Sequence, residues 1–376
     1  MDFSYTEEQT LLRNSVSKYL ADKYTFDSWR KFTRNDLGRD PSHWAQFAEL
    51  GLLAAPLPEA FGGLGGGAVD AQIVMEEFGK ALVVEPYVPT VVIGGGFLKH
   101  GGNDAQKTEW LGKIAGGETM MAFAFAEPKG RYNLADLTTT AKKQGSGYVL
   151  NGQKAVVIAA PWADQLIVTA RTSGGQRDTK GISVFIVDKN AKGVSCRNYP
   201  TVDGLRASEI TFENVEVSAD QLIGQADNGL PLIERVVDEA IAATCAEATG
   251  CMKVLVDTTV GYSKQRKQFG VPIGKFQVLQ HRMVDMFVNY EQSVSITLMV
   301  TLKLEDNDVE RAKAASAAKV TIGKAGRFVG QQSVQIHGGM GMTDELNVGH
   351  YFKRLTMIDA LFGSTDHHLK RYASLS

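Results

Sequence analysis

An arginine, an aromatic residue and a glycine-containing run in the last third of the chain have the chemistry of a ligand site. Arg266 carries a permanently charged planar fork that suits a phosphate or carboxylate group, and Phe269 follows three residues later. Gln335 precedes Gly338 and Gly339, and glycines let a backbone approach a ligand more closely than other residues do. These residue types could therefore form a site for an anionic ligand.

Each of these features also has a plain structural interpretation. Lys264 and Lys267 lie beside Arg266, so the three cations could form a solvated basic end of a helix. Phe269 has the form of a core aromatic residue, and the later glycines could form an ordinary turn between helices. Taken alone, the residues favour the solvated helix end.

Composition excludes several classes of function. The 40 basic and 42 acidic residues give a formal charge of -2, which offers no basis for binding nucleic acid or an anionic membrane. The first residues lack the basic and apolar regions of a signal peptide, and no window has the roughly 20 apolar residues of a membrane helix. The three cysteines have no metal-ligand spacing and are predicted to be reduced core residues. We expect a cytoplasmic protein without a metal site.

The elements that must position the candidate residues fall into three segments. Residues 1–118 are predicted to be helical, because apolar residues recur there at helical spacing. Thr6, followed by acidic residues, is a predicted N-cap. Further helical patterns lie at Trp44–Leu52 and Ala68–Leu82.

The middle segment, residues 119–226, is predicted to consist of short strands. Runs of β-branched and aromatic residues alternate there with glycine turns, a pattern typical of an antiparallel barrel or sandwich. The runs are Met121–Ala126, Tyr148–Leu150, Ala155–Ile158, Gln165–Ala170, Ile182–Val187 and Glu209–Phe212.

The third segment, residues 227–376, is predicted to be helical again. Its long periodic stretches predict a bundle of four long helices. These are Leu230–Tyr262, Gln277–Leu304, Asp308–Gly330 and Tyr351–Tyr372. The order of helices, strands and helices predicts an α+β chain with the sheet domain in the middle.

Motifs along nearly the whole chain resemble the acyl-CoA dehydrogenase family. The most specific lie in the third segment, at Arg266–Gly270, Phe276–Gln280 and Gln335–Gly341. Earlier markers occur in the family's order, at Pro58–Gly63, Ala126–Pro128, Asn151–Lys154, Asp203–Ser208, Phe212–Val217 and Leu222–Gly224. One such motif would be weak evidence, whereas this many in order at the family's intervals are strong.

The resemblance implies an N-terminal helical domain, a central antiparallel β-barrel and a C-terminal four-helix bundle, with FAD at a subunit interface. It implies a reaction in which a base removes the α-proton of an acyl-CoA while the β-hydrogen leaves as hydride to the flavin. The product is a 2,3-enoyl-CoA, and the electrons pass to an electron-transfer flavoprotein. We call the cofactor-binding residues that the resemblance implies the cofactor clamp: Arg266, Phe269, Gln277, Gln335, Gly338 and Gly339.

Both positions of the family's catalytic base are apolar in this chain. In many members a Glu precedes Gly-Thr near the C-terminus, and the matching residue here is Phe362. In other members the Glu lies on the first bundle helix, and counting back from the matching glycine places it at Ala240. Neither side chain can accept a proton. Three nearby carboxylates are alternatives, each also typical of a surface or capping residue: Glu239, Glu247 and Asp366.

Further departures concern the flavin ring. Where the family has Thr or Ser, this chain has Ala126. Where the family has Trp and then Thr, this chain has Val156 and Ile158, and the family's Gly-Ser-Asp is replaced by Arg131-Tyr132-Asn133. In the family, the ring-contacting residues and the base serve the flavin of their own subunit. The residues matching most of the cofactor clamp reach the neighbour's flavin instead. This chain has therefore lost one set and retained the other.

The leading hypothesis is a heteromeric α2β2 dehydrogenase in which this chain is the base-less subunit. A larger homologous subunit would seat the flavin ring and supply the Glu. Residues 234–241 are most similar to the small subunit of pimeloyl-CoA dehydrogenase and its relatives, which are associated with bulky, carboxylated or steroid-derived acyl-CoA substrates. Two alternatives remain: a self-sufficient homotetramer that uses Glu239 or Glu247, and a non-catalytic assembly protein without flavin.

Overall fold

The computed structural model of the protein describes residues 4–375, which form two compact units. The helical unit comprises the described parts of Met1–Lys31, Ala68–Val83 and Ile241–Ser376. The sheet unit comprises Phe32–Gly67 and Val84–Ala240. The boundary between Ala240 and Ile241 falls within one long helix.

The N-terminal region is helical, as predicted. The first helix begins where predicted, because the Thr6 side chain accepts a hydrogen bond from the Gln9 backbone at 3.1 Å and the Gln9 side chain accepts one from the Thr6 backbone. The helices are α1 (Glu7–Lys23), α2 (Phe26–Phe32), α3 (Pro41–Glu49), α4 (Ala68–Ala81), α5 (Gly95–Gly101) and α6 (Asp104–Ala115). A π-helical segment at Val88–Gly94 leads directly into α5.

The middle region forms a mixed sheet with the strand order β6-β7-β3-β2-β4-β5-β8, and β1 pairs with β4. The strands are β1 (Met121–Ala124), β2 (Thr140–Gln144), β3 (Gly147–Ile158), β4 (Gln165–Arg171), β5 (Ile182–Asp188), β6 (Val194–Pro200), β7 (Arg206–Val217) and β8 (Leu222–Ile223). Because β4 pairs in parallel with both β1 and β2, the sheet is not purely antiparallel. Within residues 4–375 no pairing joins β6 to β8, so the predicted barrel closure is not confirmed.

Two predicted strands are one long, irregular strand. The runs Tyr148–Leu150 and Ala155–Ile158 both belong to β3, whose pairing with β7 shifts register at two places. Gly152 lies at the first shift with φ of 151°, and a Cβ there would come within 2.5 Å of the Thr139 side chain. The irregularity interrupts the alternation of side chains along the strand, which hid its continuity from the sequence pattern.

The C-terminal region is helical and contains one short hairpin. The helices are α7 (Leu230–Gln265), α8 (Gln277–Leu302), α9 (Asp308–His337), α10 (Val348–Ala360) and α11 (Thr365–Ser374), and the hairpin strands are β9 (Lys267–Gln268) and β10 (Val271–Pro272). The predicted fourth bundle helix, Tyr351–Tyr372, is wrong in one respect: it is two helices, α10 and α11. Phe362 with φ of 56° and Gly363 with φ of 123° lie between them, and a helix cannot continue through positive φ.

The prediction that all three cysteines are core residues is wrong for one of them. Cys245 and Cys251 are buried in α7, and burial raises the pKa of the Cys245 thiol to about 12. Cys196 is exposed on β6, which is an edge strand in the sheet order. Among the helices of residues 4–375, none combines the length and the apolar composition that a membrane-spanning helix requires.

Candidate cofactor site

Three helix ends meet at one end of the helical unit. The rings of Tyr262, near the end of α7, and His337, the last residue of α9, lie 4.3 Å apart between centroids. Arg282, near the start of α8, donates to the side-chain oxygen of Gln332 on α9 at 2.8 Å. Every residue of the cofactor clamp lies within a few positions of one of these helix ends, so the fold brings the clamp residues to the same end of the unit.

The hairpin after α7 presents Arg266 and Phe269 to solvent. Arg266 is exposed, and its backbone oxygen accepts a hydrogen bond from Ile273 at 2.8 Å, which closes the hairpin. Phe269 is 93% exposed and has φ of 53°, followed by Gly270 with φ of 82°. Phe269 is therefore not a core residue of this chain. A bulky side chain in the left-handed region is strained, and such strain is characteristic of sites that contact a ligand or partner.

The turn after α9 is open in front of its glycines. Gly338 has φ of 61°, a conformation that favours glycine. Gly339 has no positive φ, and a Cβ there would meet no atom of residues 4–375 within 4 Å, so nothing in the described part of the chain requires glycine at position 339. Gly341 differs, because a Cβ there would lie 2.9 Å from the Val334 carbonyl oxygen. The clearance in front of Gly339 therefore fits the close approach of a second molecule.

A shallow groove of about 550 Å³ runs beside this turn. Gln335, Gly338 and Gly339 line it together with Arg282 and Phe352. Gln277 is exposed at the first turn of α8, and the N-cap residue of α8, Phe276, makes no side-chain capping bond. The free N–H groups of such a helix end attract an anion. Together with the Arg266 guanidinium, these features fit the phosphate-bearing half of FAD.

Neither position of the family's base offers a carboxylate. Ala240 is fully buried in α7, and Phe362 is half-buried in the loop between α10 and α11. That loop is held by Lys319, whose Nζ donates to the carbonyl oxygens of Ile358, Asp359 and Gly363 at 2.7, 2.8 and 2.8 Å. We call this contact the ammonium latch. Sequence reasoning missed it, because a lysine within α9 resembles any surface lysine.

The nearby carboxylates are engaged with cations or lie in solvent. Glu247 is buried in α7, and its two oxygens accept from Arg354 on α10 at 2.5 and 2.7 Å. In the sheet unit, Glu239 lies 2.6 Å from Nε2 of His100, with Arg235 at 3.7 Å. Asp366 is exposed in the first turn of α11, where a carboxylate suits the helix dipole. Their roles as substitute bases stay predictions.

The positions that contact the flavin ring in the family lie in the sheet unit. Ala126 accepts a backbone hydrogen bond from Ala155 at 2.8 Å, which joins the segment after β1 to β3. Val156 is 50% exposed with φ of 51°, at the second register shift of β3. A β-branched residue is especially strained in that conformation. The strand irregularity at Val156 therefore exposes this part of β3 to solvent. However, Ala126, Val156 and Ile158 all lack the polar side chains that would contact a flavin ring.

Two of the sequence motifs meet in a buried ion pair that sequence reasoning did not assign. Lys154 of β3 is fully buried, and its Nζ donates to Glu127 at 2.9 Å and to the Phe125 carbonyl oxygen at 3.2 Å. The Glu127 carboxylate also accepts from the backbone N–H groups of Thr138 and Thr139 at 2.7 and 3.0 Å. The available signal was a lysine inside a strand, because a buried lysine requires an acidic partner.

This ion pair predicts acid sensitivity. Burial alone would raise the pKa of Glu127, but the charge of Lys154 and the Thr138 hydrogen bonds outweigh it and lower the pKa from 4.5 to about 2. The stabilisation by the carboxylate is therefore complete above pH 4.5 and is lost as the pH falls toward 2. We expect a loss on the order of 3 kcal/mol over this window.

Urea unfolding at a series of pH values tests this expectation. Glu127→Gln should be less stable than the natural chain at neutral pH and should lose less stability as the pH falls. The matched control is Glu213→Gln, which replaces an exposed glutamate on β7 and should leave the change of unfolding free energy with pH as in the natural chain. If Glu127→Gln also left this pH dependence unchanged, the Lys154–Glu127 pair would not govern the acid response.

Comparisons with known proteins agree with the motifs across the whole chain. Models of the N-terminal, middle and C-terminal domains of acyl-CoA dehydrogenase match residues 6–118, 122–215 and 227–374. The chain is 29% identical to the probable acyl-CoA dehydrogenase YngJ of Bacillus subtilis over 373 residues, or 97% of each protein. It is 30% identical over 355 residues to the acyl-CoA dehydrogenase FadE12 of Mycobacterium tuberculosis, covering 92% of this chain and 90% of FadE12.

A solved structure is similar along nearly its full length. A variant of the Tcur3481-Tcur3483 steroid ACAD superposes with a TM-score of 0.89 at 28% identity. The match covers 98% of this chain and 97% of that chain. The arrangement of an N-terminal helical, a middle β and a C-terminal helical domain is therefore shared.

Proposed function

Because the chain belongs to the acyl-CoA dehydrogenase family, we propose that it is the base-less subunit of a heteromeric enzyme that forms 2,3-enoyl-CoA. Members of this family depend on FAD, which when bound accepts the β-hydrogen of the substrate as hydride. The proposal rests on one contrast in the structure: the cofactor clamp is exposed and open to a ligand, whereas both base positions are apolar.

In the proposed complex this chain holds the phosphate-bearing half of FAD. Arg266 would hold the phosphates by charge-assisted hydrogen bonds, and the start of α8 would add backbone donors. The open turn at Gly339 would let the backbone approach the cofactor, and the exposed Phe269 would pack against it. None of these groups can take the α-proton of an acyl-CoA. The arginine side chain stays protonated, and phenylalanine and glycine have no basic side-chain atom.

The base therefore comes from a larger homologous subunit in the proposal. Ala240 and Phe362 cannot act as a base. General-base catalysis typically raises the reaction rate by roughly 10²–10⁴-fold, so a site without a base would be slower by that factor. The partner supplies the glutamate and the polar contacts to the flavin ring. An electron-transfer flavoprotein then accepts the electrons.

An apolar surface on the helical unit supports a partner subunit. Val284 and Phe287 of α8 are 58% and 51% exposed. They line a groove of about 590 Å³ together with Val256 and Val260 of α7. Contiguous exposed apolar residues mark protein interfaces. We therefore place the larger subunit against this surface, in an α2β2 assembly of the kind to which pimeloyl-CoA dehydrogenase belongs.

One similar structure and one local resemblance favour a bulky acyl-CoA thioester as the proposed substrate. The Tcur3481-Tcur3483 protein is a steroid ACAD, which favours a steroid-derived acyl group for the complex of this chain. The resemblance of residues 234–241 to the pimeloyl-CoA dehydrogenase small subunit favours a carboxylated one. Comparing the turnover of the complex with steroid-derived and with carboxylated acyl-CoA thioesters decides between these two substrate classes.

Flavin content and turnover test the proposal. Expressed alone, the chain is expected to hold little flavin and to form no enoyl-CoA, because it lacks the base and the ring contacts. Co-expressed with a larger homologue that carries the glutamate, it should form a complex with both properties. Arg266→Ala should weaken FAD binding by the complex by about tenfold or more, through loss of a charge-assisted bidentate contact.

Lys264→Ala is the matched control, because it removes one charge from the same basic cluster without removing the guanidinium fork. It should leave the flavin absorbance of the complex unchanged. Equal effects of the two substitutions would mean that the cluster acts only as a solvated basic helix end. Full flavin content and enoyl-CoA formation by the isolated chain would overturn the heteromeric proposal.

One alternative is a self-sufficient homotetramer with a displaced base. Glu239 is favoured among the candidates because it lies 2.6 Å from Nε2 of His100, a contact that can orient its carboxylate. This alternative requires that the isolated chain turn over and that Glu239→Gln abolish turnover.

A further alternative is an assembly protein without flavin. Phe362 and Val156 favour it, since both leave the chain's own site without polar groups for the flavin ring. It requires that the complex bind FAD equally well with natural and Arg266→Ala chains.

A further inference from the structure

One buried ring lies where the two parts of the cofactor clamp meet. Arg266 and Phe269 belong to the hairpin after α7, whereas Gly338 and Gly339 belong to the turn after α9. The whole of α8 separates these two parts in the sequence, so their spacing depends on contacts between distant residues. His337, the last residue of α9, is 3% exposed and makes such a contact.

The imidazole of His337 is held in one orientation and one tautomer. Its Nδ1 lies 2.8 Å from the carbonyl oxygen of Ser333, and a carbonyl oxygen can only accept, so Nδ1 carries the proton. The other ring nitrogen, Nε2, is buried and has no hydrogen-bond partner within residues 4–375. Burial lowers the pKa of His337, which keeps the ring neutral at neutral pH. The ring therefore presents a flat, uncharged face.

His337 contacts both parts of the clamp. Its ring centroid lies 4.3 Å from that of Tyr262 on α7, with 30° between the two planes. The turn folds back against the same residue, because a Cβ at Gly341 would lie only 3.0 Å from the His337 Cβ. The position of the turn and the position of α7 are therefore both referred to this one side chain.

Tyr262 in turn carries the base of the hairpin. Its carbonyl oxygen accepts a hydrogen bond from the backbone N–H of Arg266 at 2.9 Å. The Arg266 carbonyl oxygen accepts from Ile273 at 2.8 Å, which closes the hairpin. A displacement of the Tyr262 ring would therefore move the hairpin relative to the turn.

The buried nitrogen argues for a role beyond packing. An acceptor without a donor in the interior is destabilising, and native structures contain few of them. The Nδ1 hydrogen bond to Ser333 fixes the plane of the His337 ring, and the unpartnered Nε2 is the cost of that geometry. A geometry that persists at a cost in stability indicates that the orientation of the ring matters.

We propose that His337 is a positioning residue of the cofactor clamp, whose ring, stacked on Tyr262, holds the hairpin and the turn at a fixed spacing. This inference rests on the proposed function, because the spacing matters for a ligand that touches both parts. The phosphates of FAD would then meet the Arg266 guanidinium and the backbone at Gly339 together, without a rearrangement of either part.

The affinity of the complex with the larger subunit for FAD tests the inference. His337→Leu keeps an apolar side chain but removes the planar face, and it should weaken FAD binding about fivefold or more. His337→Phe keeps the planar face and should bind FAD within about twofold of the natural complex. Equal losses in the two variants overturn the inference, because the planar face would then not be the feature that matters.

A double-mutant cycle isolates the stack. Tyr262→Leu removes its other half and should weaken FAD binding by a similar factor. Combining it with His337→Leu should add little, because the same contact is lost in both. Additive losses overturn the inference, since they would show that the two rings act independently.

Ile322→Ala is the control for stability. Ile322 is buried in the middle of α9, so its replacement should lower the unfolding midpoint and leave the FAD affinity of the folded complex unchanged. If it weakened FAD binding as much as His337→Leu, the effect at position 337 would be a general loss of stability, and the inference would be wrong.

Hydrogen exchange gives a readout that needs no flavin. The backbone N–H groups of Arg266 and Ile273 should exchange about fivefold faster in His337→Leu and at the natural rate in His337→Phe. Faster exchange with unchanged FAD affinity overturns the inference, because the stack would then be structural only. If Arg266→Ala weakens FAD binding and His337→Leu does not, this inference fails alone. If neither does, the proposed function fails with it.

Discussion

Lys319→Met is expected to lower the free energy of unfolding by about 3 kcal/mol, because two buried carbonyl oxygens and one partly buried one lose their donor. These are the oxygens of Ile358, Asp359 and Gly363, which the ammonium latch satisfies with its three N–H groups. Part of the loss is offset, since burial lowers the pKa of Lys319 to about 8 and shows that the buried charge itself is costly. Urea unfolding measures the difference.

Lys324→Met is the control for this prediction. It lies on the same helix, α9, but is exposed, so its replacement should change stability by less than about 0.5 kcal/mol. Equal stability of the Lys319 and Lys324 variants would mean that the loop between α10 and α11 does not depend on the ammonium latch. A loss confined to Lys319→Met would identify the latch as the support of Phe362 in its left-handed conformation.

Arg354→Met should destabilise the protein by about 3–5 kcal/mol, because it leaves the Glu247 carboxylate buried without its partner. Both side chains are almost fully buried, at 9% and 4% exposure, and they are joined by two short hydrogen bonds. The midpoint of thermal or urea unfolding reports the loss. The double variant Glu247→Leu with Arg354→Met should regain much of it, since no unpaired charge remains.

An exposed ion pair supplies the comparison. Arg327 pairs with Asp359, but its side chain is 66% exposed, so Arg327→Met should cost less than about 1 kcal/mol. The same experiment bears on catalysis. If Glu247→Gln abolished turnover of the isolated chain without loss of stability, Glu247 would be a base rather than half of a structural pair.

Local patterns in the sequence predicted most of the helices and strands. Thr6 was a recognisable N-cap because its cap needs only Gln9, three residues away. The long helices α7, α8 and α9 follow from apolar periodicity alone. The pattern failed at Phe362 and Gly363, where helix-forming residues on both sides concealed a break. The carbonyl groups around that break accept hydrogen bonds from Lys319, more than forty positions earlier in the chain.

The cofactor clamp could be predicted only in part. Its members were identified from motifs, but the motifs do not show that the ends of α7, α8 and α9 meet. The contact of Tyr262 with His337 joins α7 to α9, and the hydrogen bond from Arg282 to Gln332 joins α8 to α9. Exposure was likewise undetermined, since Phe269 fits a core residue by type and is instead 93% exposed.

By itself the sequence determined the helix–strand–helix order, the family resemblance and the absence of a glutamate at positions 240 and 362. These properties depend on residue identity and short-range spacing. Only the tertiary structure decided which charged groups are paired in the interior, such as Lys154 with Glu127 and Arg354 with Glu247. The physical reason is that burying a charge is favourable only beside a partner, and the partner is brought there by long-range packing.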